Sequence, residues 1–583
     1  MGSINSSNRR RRMSGSLDLS LPQREELSVG NQSTGSAGDE REGQETVEVT
    51  AHDSDSSTDL SAILAYLIRS VGVSSGQVRL LSTDPDDDEY ASEEECFDKS
   101  QKPVADSNPD TSRIKNNDIY EEIMLRSGRS SALDKSHSTV THMIYKRQIG
   151  MKNHGNFTPS DRRVICKPFL PNFCETIGCY RQKVFCGTYS VDGNIFLAAS
   201  QDHNIRVYDT RDDEFNLMKV IRARDVGWSV LDTAFSPDGN YVAYSSWSDS
   251  IHLCNVYGEE EVHQSLLMMP TENSFCIFSL MFSSDNREIL GGANDGNLYV
   301  YDRDNGRRSL KIDAHDDDVN AVAFADDNSQ ILFSGGDDGL IKVWDRRMLR
   351  EESPVPVGAL AGHYDGITYI DSKGDARYLL SNSKDQTMKL WDIRSLSSKN
   401  AVEQTKKAVS KQRWDYRWQQ VPKKMHVKPR LEGDTSLMTY RGHSVLHTLI
   451  RCRFSPKFST GQRYVYTGCA LGNIVVYDTL SGDIVRKLEG HRSCVRDVNW
   501  HPFENNIVSA SWDGTLRKWM YVSPDKYEDL QDPCLRPSSS EDESGEDEDG
   551  GRRQSVQQRQ QKRKRSMSSS SCYEHIKHKG LFD

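Results

Sequence analysis

The sequence predicts an all-β fold, a seven-bladed β-propeller, on the basis of one repeated pattern. The pattern occurs seven times: a strand of small residues, a turn, and an alternating strand that ends in an aromatic residue and Asp, or in substitutes for them. Successive repeats end 42 to 47 residues apart, except for one step of 86. A repeat of about 40–45 residues is typical of one four-stranded propeller blade. The repeats end at Asp209, Asn255, Asp302, Asp345, Asp392, Asp478 and Met520.

The long step indicates one blade plus an insertion, at residues 395–438. Both ends of the chain are polar and charged, and such segments cannot bury enough apolar surface to offset their ordering entropy. The predicted organisation is a disordered tail at 1–58, a short helix within 59–81, an acidic and polar linker at 82–160, the propeller at 161–522, and a disordered tail at 523–583 that is first acidic and then basic.

One apolar stretch interrupts the N-terminal tail. Leu60, Ile63, Leu64 and Leu67 recur at the spacing of one helix face. An isolated helix this short is only marginally stable in water. We therefore expect the stretch to dock, either on the propeller itself or in the groove of a partner.

A closed ring requires a partner for the last strand of blade seven, because an exposed strand edge invites unwanted pairing. The chain becomes polar soon after Trp519, so the missing outer strand has to come from the N-terminal side. Residues 163–170, with the sequence Arg-Val-Ile-Cys-Lys-Pro-Phe-Leu, are the predicted closing strand.

Composition argues against several classes of protein. A net charge of −12 is unfavourable for nucleic-acid binding by bulk electrostatics. No apolar run approaches the roughly 18 residues of a membrane helix, and the N-terminus lacks the apolar core of a secretory signal. The 12 cysteines form no Cys-x-x-Cys pair and no set with zinc spacing, which predicts reduced thiols in a cytosolic or nuclear protein.

We expect neither a metal nor a cofactor. Asp84, Asp86, Asp88 and Glu95 mimic the spacing of a calcium loop, but Glu89 stands where that loop needs glycine. No glycine-rich phosphate loop is present. A solvated acidic linker is the simpler interpretation.

Three sets of His, Ser and Asp have the composition of a hydrolase triad, but a nucleophile site does not recur at blade spacing within one chain. Together with the Gly-His pairs at 362–363, 442–443 and 490–491, these motifs resemble the WD-repeat family over residues 184–519. The resemblance implies buried hydrogen-bond networks that brace single blades, and no enzyme activity. Blades one to three lack Gly-His, so we expect weaker bracing there. The sets are His315, Ser334, Asp338 and Trp344; His363, Ser381, Asp385 and Trp391; and His491, Ser509, Asp513 and Trp519.

The residues that follow the aromatic-Asp pairs carry the sharpest functional signal. A Trp-Asp-x-Arg motif places Arg347 after Asp345 and Arg394 after Asp392 in two adjacent blades, and Arg211 occupies the same position in blade one. Paired motifs of this kind resemble the box by which substrate receptors bind the DNA-damage-binding adaptor of cullin-4 ubiquitin ligases. The planar guanidinium suits such a contact because it makes bidentate, charge-assisted bonds. The alternative is that these arginines only pair with acids of their own blades.

Three longer stretches, at 223–232, 414–424 and 447–456, resemble cullin-4-associated substrate receptors of the WD-repeat family. The resemblance implies a non-catalytic subunit of the cullin-4 ligase complex, which bridges the adaptor to an unknown target protein for ubiquitination and proteasomal degradation. It also implies that Ile63, Leu64 and Leu67 insert into the adaptor. A WD-repeat scaffold without a ligase is the alternative.

The insertion contains a further Trp-Asp-Tyr-Arg sequence at 414–417, which we do not interpret as an adaptor motif. It follows a stretch of helical composition at 401–408, and Trp414 and Trp418 are spaced to share one helix face. Packing against the propeller flank is the simpler expectation, and a partner-binding surface is the other.

The target protein is expected on the face opposite the arginines, against residues just before the turn aspartates. Trp512 is the expected anchor, because exposed aromatic side chains carry binding energy. The alternative is that Trp512 packs within blade seven. The expected target-face residues are Gln201, Ser248, Asn294, Asp337, Lys384, Trp512 and Arg496.

Two terminal motifs bear on location. Gly2 fits an N-myristoylation pattern, with the arginines at 9–12 as a basic second signal, so membrane attachment is expected only if Gly2 is acylated. Lys562, Arg563, Lys564 and Arg565 form a basic run that predicts nuclear import. A solvated run that offsets the adjacent acidic one is the alternative. We expect the protein in nucleus and cytoplasm.

Overall fold

The computed structural model describes residues 103–127, 139–150, 157–212, 214–258, 260–270, 274–425 and 429–525. These residues contain seven four-stranded antiparallel sheets, which confirms the predicted seven-bladed propeller. Six blades consist of four consecutive strands, paired in chain order. The first strands of neighbouring blades contact one another around the central axis.

The strands of blades one to three are β2 (Val184–Tyr189), β3 (Ile195–Ser200), β4 (Asn204–Asp209) and β5 (Asn216–Arg222); β6 (Asp232–Phe235), β7 (Tyr241–Ser245), β8 (Ser250–Asn255) and β9 (His263–Leu267); and β10 (Ile277–Phe282), β11 (Glu288–Ala293), β12 (Asn297–Asp302) and β13 (Arg307–Asp313). Those of blades four to six are β14 (Val319–Phe324), β15 (Ile331–Gly336), β16 (Ile341–Asp345) and β17 (Gly358–Leu360); β18 (Ile367–Ser372), β19 (Tyr378–Ser383), β20 (Met388–Asp392) and β21 (Met438–Tyr440); and β22 (Cys452–Phe454), β23 (Tyr464–Gly468), β24 (Asn473–Asp478) and β25 (Ile484–Glu489).

Blade seven combines both ends of the propeller. Its first three strands are β26 (Val495–Trp500), β27 (Ile507–Ser511) and β28 (Thr515–Met520), and its outer strand is β1 (Phe173–Cys179), which pairs antiparallel with β28. The closing strand therefore comes from the N-terminal side, but the prediction that residues 163–170 form it was wrong. Those residues belong to a helix, Pro159–Cys166, and a 3-10 turn, Lys167–Phe169.

Within the described residues, five α-helices lie outside the blades. They are α1 (Ser112–Lys115), α2 (Asp118–Arg126), α3 (Val140–Gln148), α4 (Pro159–Cys166) and α5 (Lys399–Ser410), with further 3-10 turns at Arg346–Met348 and Lys423–Met425. The start of α4 is fixed by a capping box, in which Thr158 Oγ1 accepts from the Asp161 amide at 3.1 Å and Asp161 Oδ2 accepts from the Thr158 amide at 3.1 Å.

The two faces of the disc are defined by its turns. Turns between the third and fourth strands of a blade, and between its first and second, lie on what we call the bottom face. Turns between the second and third strands, and the connections from one blade to the next, lie on the top face. Arg211, Arg347 and Arg394 follow third strands and so lie on the bottom face.

Residues 103–127, which we call the strap, pack against blades five and six. Ile114, Ile119 and Ile123 of the strap are fully buried in one apolar cluster with Tyr378 of blade five and Tyr477 of blade six. This packing lies within the region predicted as an acidic and polar linker at 82–160.

The insertion runs from the bottom face to the top face. It leaves β20 on the bottom face after Asp392, yet Lys406 of α5 pairs with Asp316 in the top connection between blades three and four. Trp414 Nε1 then donates to Asp365 Oδ2 in the next top connection at 3.1 Å. The insertion therefore covers the top of blades four and five.

Candidate adaptor and target interfaces

Three arginines on the bottom face are held by the aspartate two residues before them. Arg347 donates from Nε to Asp345 Oδ1 at 2.9 Å and from Nη2 to Asp345 Oδ2 at 2.6 Å. Arg211 forms the same bidentate pair with Asp209, its Nε lying 3.0 Å from both carboxylate oxygens. Both arginine side chains remain 67% exposed. The forks are thus oriented by their own blades and still open to a partner.

Arg394 differs because the strap reaches it. Its Nη2 lies 3.2 Å from Asp392 Oδ2 and 3.2 Å from Asp118 Oδ2 of α2, and its side chain is 57% exposed. Asn117 Nδ2 also donates to Asp392 Oδ2 at 3.0 Å. Asp118 further pairs with Arg377 at 2.9 Å. Asn117 and Asp118 could not be predicted at this site, because they lie more than 270 residues before Arg394.

The His, Ser, Asp and Trp sets of blades four, five and seven form closed networks. In blade five, His363 Nε2 lies 2.8 Å from Ser381 Oγ and its Nδ1 lies 3.0 Å from Asp385 Oδ2, while Trp391 Nε1 donates to the same Ser381 Oγ at 2.8 Å. The serine oxygen of each set is fully buried and shared with the indole, so no substrate carbonyl can approach it. The equivalent bonds join His315, Ser334, Asp338 and Trp344 in blade four, and His491, Ser509, Asp513 and Trp519 in blade seven.

Replacing Ser381 with alanine is expected to lower the free energy of unfolding by about 2–3 kcal/mol, because the indole and the imidazole both lose their partner inside the core. Burial alone would raise the pKa of Asp385. The charge of His363 and its hydrogen bond to the carboxylate instead hold that pKa below its usual range. The contribution of Asp385 is therefore present above about pH 4 and is lost as the pH falls further. Urea denaturation of Ser381→Ala beside the exposed Ser410→Ala measures the effect, and equal midpoints for the two variants would contradict it.

Blades without a complete set use other polar pairs. In blade one, Arg206 Nη1 donates to Ser200 Oγ at 2.7 Å and to Asp202 Oδ1 at 3.2 Å. In blade three, Tyr299 donates to Asp295 Oδ2 at 2.6 Å. These bonds brace blades one and three where the histidine is missing, and the expected weaker bracing of blades one to three stays a prediction. In blade six, where Leu471 stands in place of the turn aspartate, His443 bonds to Tyr477 and to Asn382 of blade five.

The insertion covers two of the residues predicted on the target face. Lys384 Nζ lies 2.7 Å from Asp337 Oδ2 and 4.5 Å from the centre of the Tyr416 ring, which belongs to the insertion. The Lys384 side chain is only 12% exposed. Lys384 and Asp337 are therefore part of the contact between blades four and five and the insertion, rather than of an open surface.

Carboxylates crowd around this ion pair. Burial, together with the charges of Asp337 and Asp317, raises the pKa of Asp318 to about 8. Burial also raises the pKa of Asp365 to about 6. Lys384 is the cation at the centre of the group. Its charge acts in the opposite direction and offsets part of the rise in the pKa of both carboxyls.

This crowding predicts a pH dependence of stability. The folded chain keeps a proton on Asp318 that the unfolded chain releases near pH 4, so this carboxyl favours folding at low pH and its contribution is lost as the pH rises towards 8. We expect Asp318→Asn to raise the free energy of unfolding by about 1 kcal/mol or more at pH 8.5, and to raise it clearly less at pH 5. Denaturant unfolding at both pH values measures this, with the exposed Asp316→Asn as control. A gain that is equal at the two pH values would rule the explanation out.

Two further target-face predictions need correction. Arg496 is not on the rim: it is 3% exposed and donates to the carbonyl oxygens of Phe185 at 2.6 Å and Leu231 at 2.8 Å, inside the channel. Trp512 is partly buried, with its ring 5.5 Å from that of Phe185 and 4.2 Å from Lys183 Nζ. Trp512 thus packs between blade seven and blade one, rather than as an open anchor or within blade seven alone.

The open part of the top face lies over blades one to three. Gln201 and Ser248 are partly exposed there, whereas Asn294 is used locally, accepting from the Cys276 amide at 2.9 Å and donating to Ser274 O at 3.0 Å. Trp228, which the sequence analysis did not single out as a site residue, is 43% exposed, with its ring 5.3 Å from that of Phe185. Its position in one of the stretches that resembled substrate receptors, 223–232, was the available signal.

In the insertion, the two tryptophans do not share a helix face. α5 ends at Ser410, before Trp414, which is partly buried in an apolar cluster with Tyr416 and Val445. Trp418 is 77% exposed. The packing expectation therefore fits Trp414, and Trp418 remains a surface residue.

Several predicted sites lie outside the described residues, namely Ile63, Leu64 and Leu67, Gly2, and the basic run Lys562, Arg563, Lys564 and Arg565. Within the described residues, no group of three or more His, Cys, Asp or Glu is arranged to hold a metal ion. None of the helices in the same part of the chain is long and apolar enough to cross a membrane.

Comparison with known proteins places this geometry in a family. Residues 173–209, 306–345, 354–392 and 482–519 match the WD domain, G-beta repeat family. The chain is 41% identical over 413 residues to the DDB1- and CUL4-associated factor 11 homolog of Caenorhabditis elegans, covering 68% of this chain and 72% of that protein. The chain belongs to the DDB1- and CUL4-associated factor 11 family. The chain is also 40% identical over 397 residues to the LEC14B protein of Lithospermum erythrorhizon, covering 66% of this chain and 82% of that protein.

Proposed function

We propose that this chain is the substrate receptor of a cullin-4 ubiquitin ligase, a non-catalytic subunit that binds the DNA-damage-binding adaptor, DDB1, through its bottom face. The animal relatives, at 40–41% identity, are named as factors associated with DDB1 and CUL4. The observation that carries the proposal is the set of exposed arginine forks at Arg211, Arg347 and Arg394, each oriented by a neighbouring aspartate.

Preorganisation is what suits these arginines to binding. A side chain that is already held in one conformation loses less entropy when it binds. The forks of Arg211 and Arg347 satisfy part of their hydrogen-bonding capacity on their own aspartates, which lowers the pKa of Asp209 and Asp345 and keeps both carboxyls ionised. The pairs therefore present a fixed pattern of donors and acceptors to the adaptor.

The target protein binds, in this proposal, on the open part of the top face around Trp228, Gln201 and Ser248. The receptor then acts by proximity: it holds lysines of the target close to a ubiquitin-conjugating enzyme and raises their effective concentration there. Covalent chemistry belongs to the ligase partners, and degradation of the target by the proteasome follows. The buried serines of the propeller take no part in it.

The helix predicted within 59–81 contributes to the adaptor contact through Ile63, Leu64 and Leu67. The experiment is to measure binding of purified DDB1 to the intact chain, to a chain lacking residues 59–81, and to a control chain lacking an equal length of the C-terminal tail, 556–578. We expect the intact and control chains to bind with similar affinity and the first deletion to bind at least about tenfold more weakly.

Failure of the folded, intact chain to bind DDB1 would overturn the receptor function. Circular dichroism of the same preparation excludes an unfolded sample. That outcome would favour a scaffold without a ligase. The chain is also 26% identical over 301 residues to a protein named as a pre-mRNA-splicing factor, cwf17 of Schizosaccharomyces pombe.

We also propose that the receptor is present in both nucleus and cytoplasm, with Lys562, Arg563, Lys564 and Arg565 as the import signal. Replacing all four with glutamine in a fluorescently tagged full chain is expected to shift the protein towards the cytoplasm. An unchanged distribution would assign the basic run to a solvated tail.

A further inference from the structure

We propose that a basic and aromatic patch on the bottom face binds the acidic segment of the chain's own C-terminal tail. The patch lies beside blades six and seven, away from the arginines proposed to bind the adaptor. The patch consists of Arg126, Arg162, Lys457, Phe458 and Phe503, and the acidic segment is residues 541–549.

Two phenylalanines form the centre of the patch. Phe458 and Phe503 belong to the loops between the first and second strands of blades six and seven, and their rings meet edge to face at 5.4 Å. They are 49% and 47% exposed, although each is large enough to favour burial. The guanidinium of Arg162 lies 5.7 Å from the centre of the Phe458 ring. Exposed apolar surface with a polar rim is typical of a contact surface.

Guanidinium groups are crowded beside these rings. Arg163 donates to the carbonyl oxygens of Arg126 and Lys457 at 2.6 Å each, which draws α2, α4 and the blade-six loop together. Burial lowers the pKa of Arg163, and so do the charges of Arg126 and Arg162. Such mutual repulsion disfavours the arrangement unless an anion binds to it.

The neighbouring carboxylate does not neutralise this charge. Glu122 lies 2.5 Å from Arg126 and 2.7 Å from the buried Lys373 Nζ, which also pairs with Asp375 at 2.6 Å, so Glu122 is shared and does not neutralise Arg126 alone. Lys457 is exposed at the edge of the patch. An acidic segment would supply the missing negative charge.

The C-terminal tail starts next to the patch. The described chain ends at 525 on the bottom of blade seven, where the Tyr521 ring packs against Phe169 at 5.0 Å and Asn505, two residues after Phe503, hydrogen bonds to Phe169 O. Sixteen positions separate 525 from 541, and a random-coil linker of that length would have a root-mean-square span of roughly 20–24 Å. The segment 541–549 carries seven acidic residues in nine and is therefore held close to the patch at a high effective concentration.

Another acidic stretch, within 84–95, is the competing occupant. It joins the described chain at 103, and the strap there runs beside Gly442, at the top connection between blades five and six, where a Cβ on that glycine would lie 3.2 Å from Ala105 Cβ. The strap therefore begins beside blades five and six, and not beside blade seven, where the described chain ends at 525. We assign the patch to the C-terminal segment for this reason.

The experiment is carbodiimide cross-linking of the full chain, which joins Lys457 Nζ to a carboxylate only if the two are in direct contact. Mass spectrometry is expected to find Lys457 joined to residues 541–549. The yield should fall at least about fivefold in 0.5 M salt, because screening weakens contacts between exposed charges. A mixture of isotopically light and heavy chains separates links within one chain from links between two.

Variants make the result specific. Arg126→Gln combined with Arg162→Gln should lower the yield of the Lys457 link at least about fivefold, whereas Arg287→Gln, at an exposed arginine on blade three, should leave it unchanged. Replacing the seven acids of 541–549 by their amides should abolish the link without touching the propeller. A Lys457 link to 84–95, a link only between chains, or no link at low salt would each overturn the proposal.

Discussion

Replacing Asp497 with asparagine is expected to lower the free energy of unfolding by about 3–5 kcal/mol, the cost of leaving buried charges without their partner. Asp497 is fully buried on β26 at the centre of the propeller. It accepts from Arg451 Nη1 at 3.0 Å, from Arg453 Nη2 at 3.0 Å and from the Gly187 amide at 3.1 Å. The substitution keeps the shape of the side chain and removes its charge.

The network explains why so small a change matters. Arg451 also pairs with Asp232 of blade two at 2.6 Å, so it joins the innermost strands of blades two, six and seven across the channel. Burial alone would raise the pKa of Asp497, but the charges of Arg451 and Arg453 hold it below its usual range, and the carboxylate stays ionised. Without the Asp497 carboxylate, Arg453 loses its ion pair with that residue and Arg451 keeps, among the described residues, only the ion pair with Asp232.

Urea denaturation measures the effect, since guanidinium salts would screen the charges being tested. The matched control is Asp304→Asn, which removes a carboxylate that is 65% exposed and 3.5 Å from Arg287 Nε, and which should change stability by less than about 1 kcal/mol. An Asp497→Leu/Arg453→Met double variant should be more stable than Asp497→Asn, because it removes a charge from both sides. Equal stabilities for Asp497→Asn and the control would contradict the network's role.

The blades were predictable because their signal is local and repeated. β3 and β27 are buried along their whole length, and each is followed by a turn and a strand whose burial alternates, so one period describes all seven blades. The serine, histidine and aspartate of each complete set sit at fixed positions in that period. Their hydrogen bonds therefore follow from register alone.

The closing strand shows where local signals compete. Val164 and Ile165 are apolar and β-branched, which favoured a strand at 163–170, yet Thr158, Pro159 and Asp161 form a helix start just before them. The capping box was readable in the sequence and outweighs two β-branched residues. The true closing strand contains Gly178, where its pairing with β28 shifts register, so its alternation is interrupted.

The path of the insertion was not predictable from sequence. Its helix was expected near 401–408 and spans Lys399–Ser410, but composition carries no information on the direction in which a long loop leaves the disc. Lys384 is covered because the Tyr416 ring packs against it. The two residues are 32 positions apart in the sequence, so only the folded chain shows this contact. For the same reason the strap's contact with Arg394 depends on Asp118, a residue of ordinary helical sequence.

The strap changes what is expected of the two adjacent Trp-Asp-x-Arg motifs. Arg347 pairs only with Asp345 among the described residues, whereas Arg394 shares Asp392 with Arg377 and also meets Asp118. Part of the Arg394 fork is therefore already committed within the chain. If both arginines contact the adaptor, Arg347 should contribute more of the binding energy.

Replacing Arg347 and Arg394 together with alanine is expected to weaken binding of DDB1 at least about a hundredfold. Interface arginines that act as hot spots contribute about 2 kcal/mol or more each when truncated, although two such effects need not add. Arg347→Ala alone should account for more of the loss than Arg394→Ala alone. Biolayer interferometry with immobilised DDB1 gives the dissociation constants, and the loss should appear mainly in the dissociation rate.

The chain offers a control with the same local sequence. Arg417 completes the Trp-Asp-Tyr-Arg of the insertion and makes the same fork with Asp415, at 3.0 Å from Nε to Oδ1, but it lies on the top face and its side chain is only 19% exposed. Arg417→Ala should therefore leave DDB1 binding unchanged. If Arg417→Ala weakens DDB1 binding as much as the double variant does, the adaptor contact does not lie on the bottom face. The position of an arginine on the disc would then no longer explain which arginines bind the adaptor.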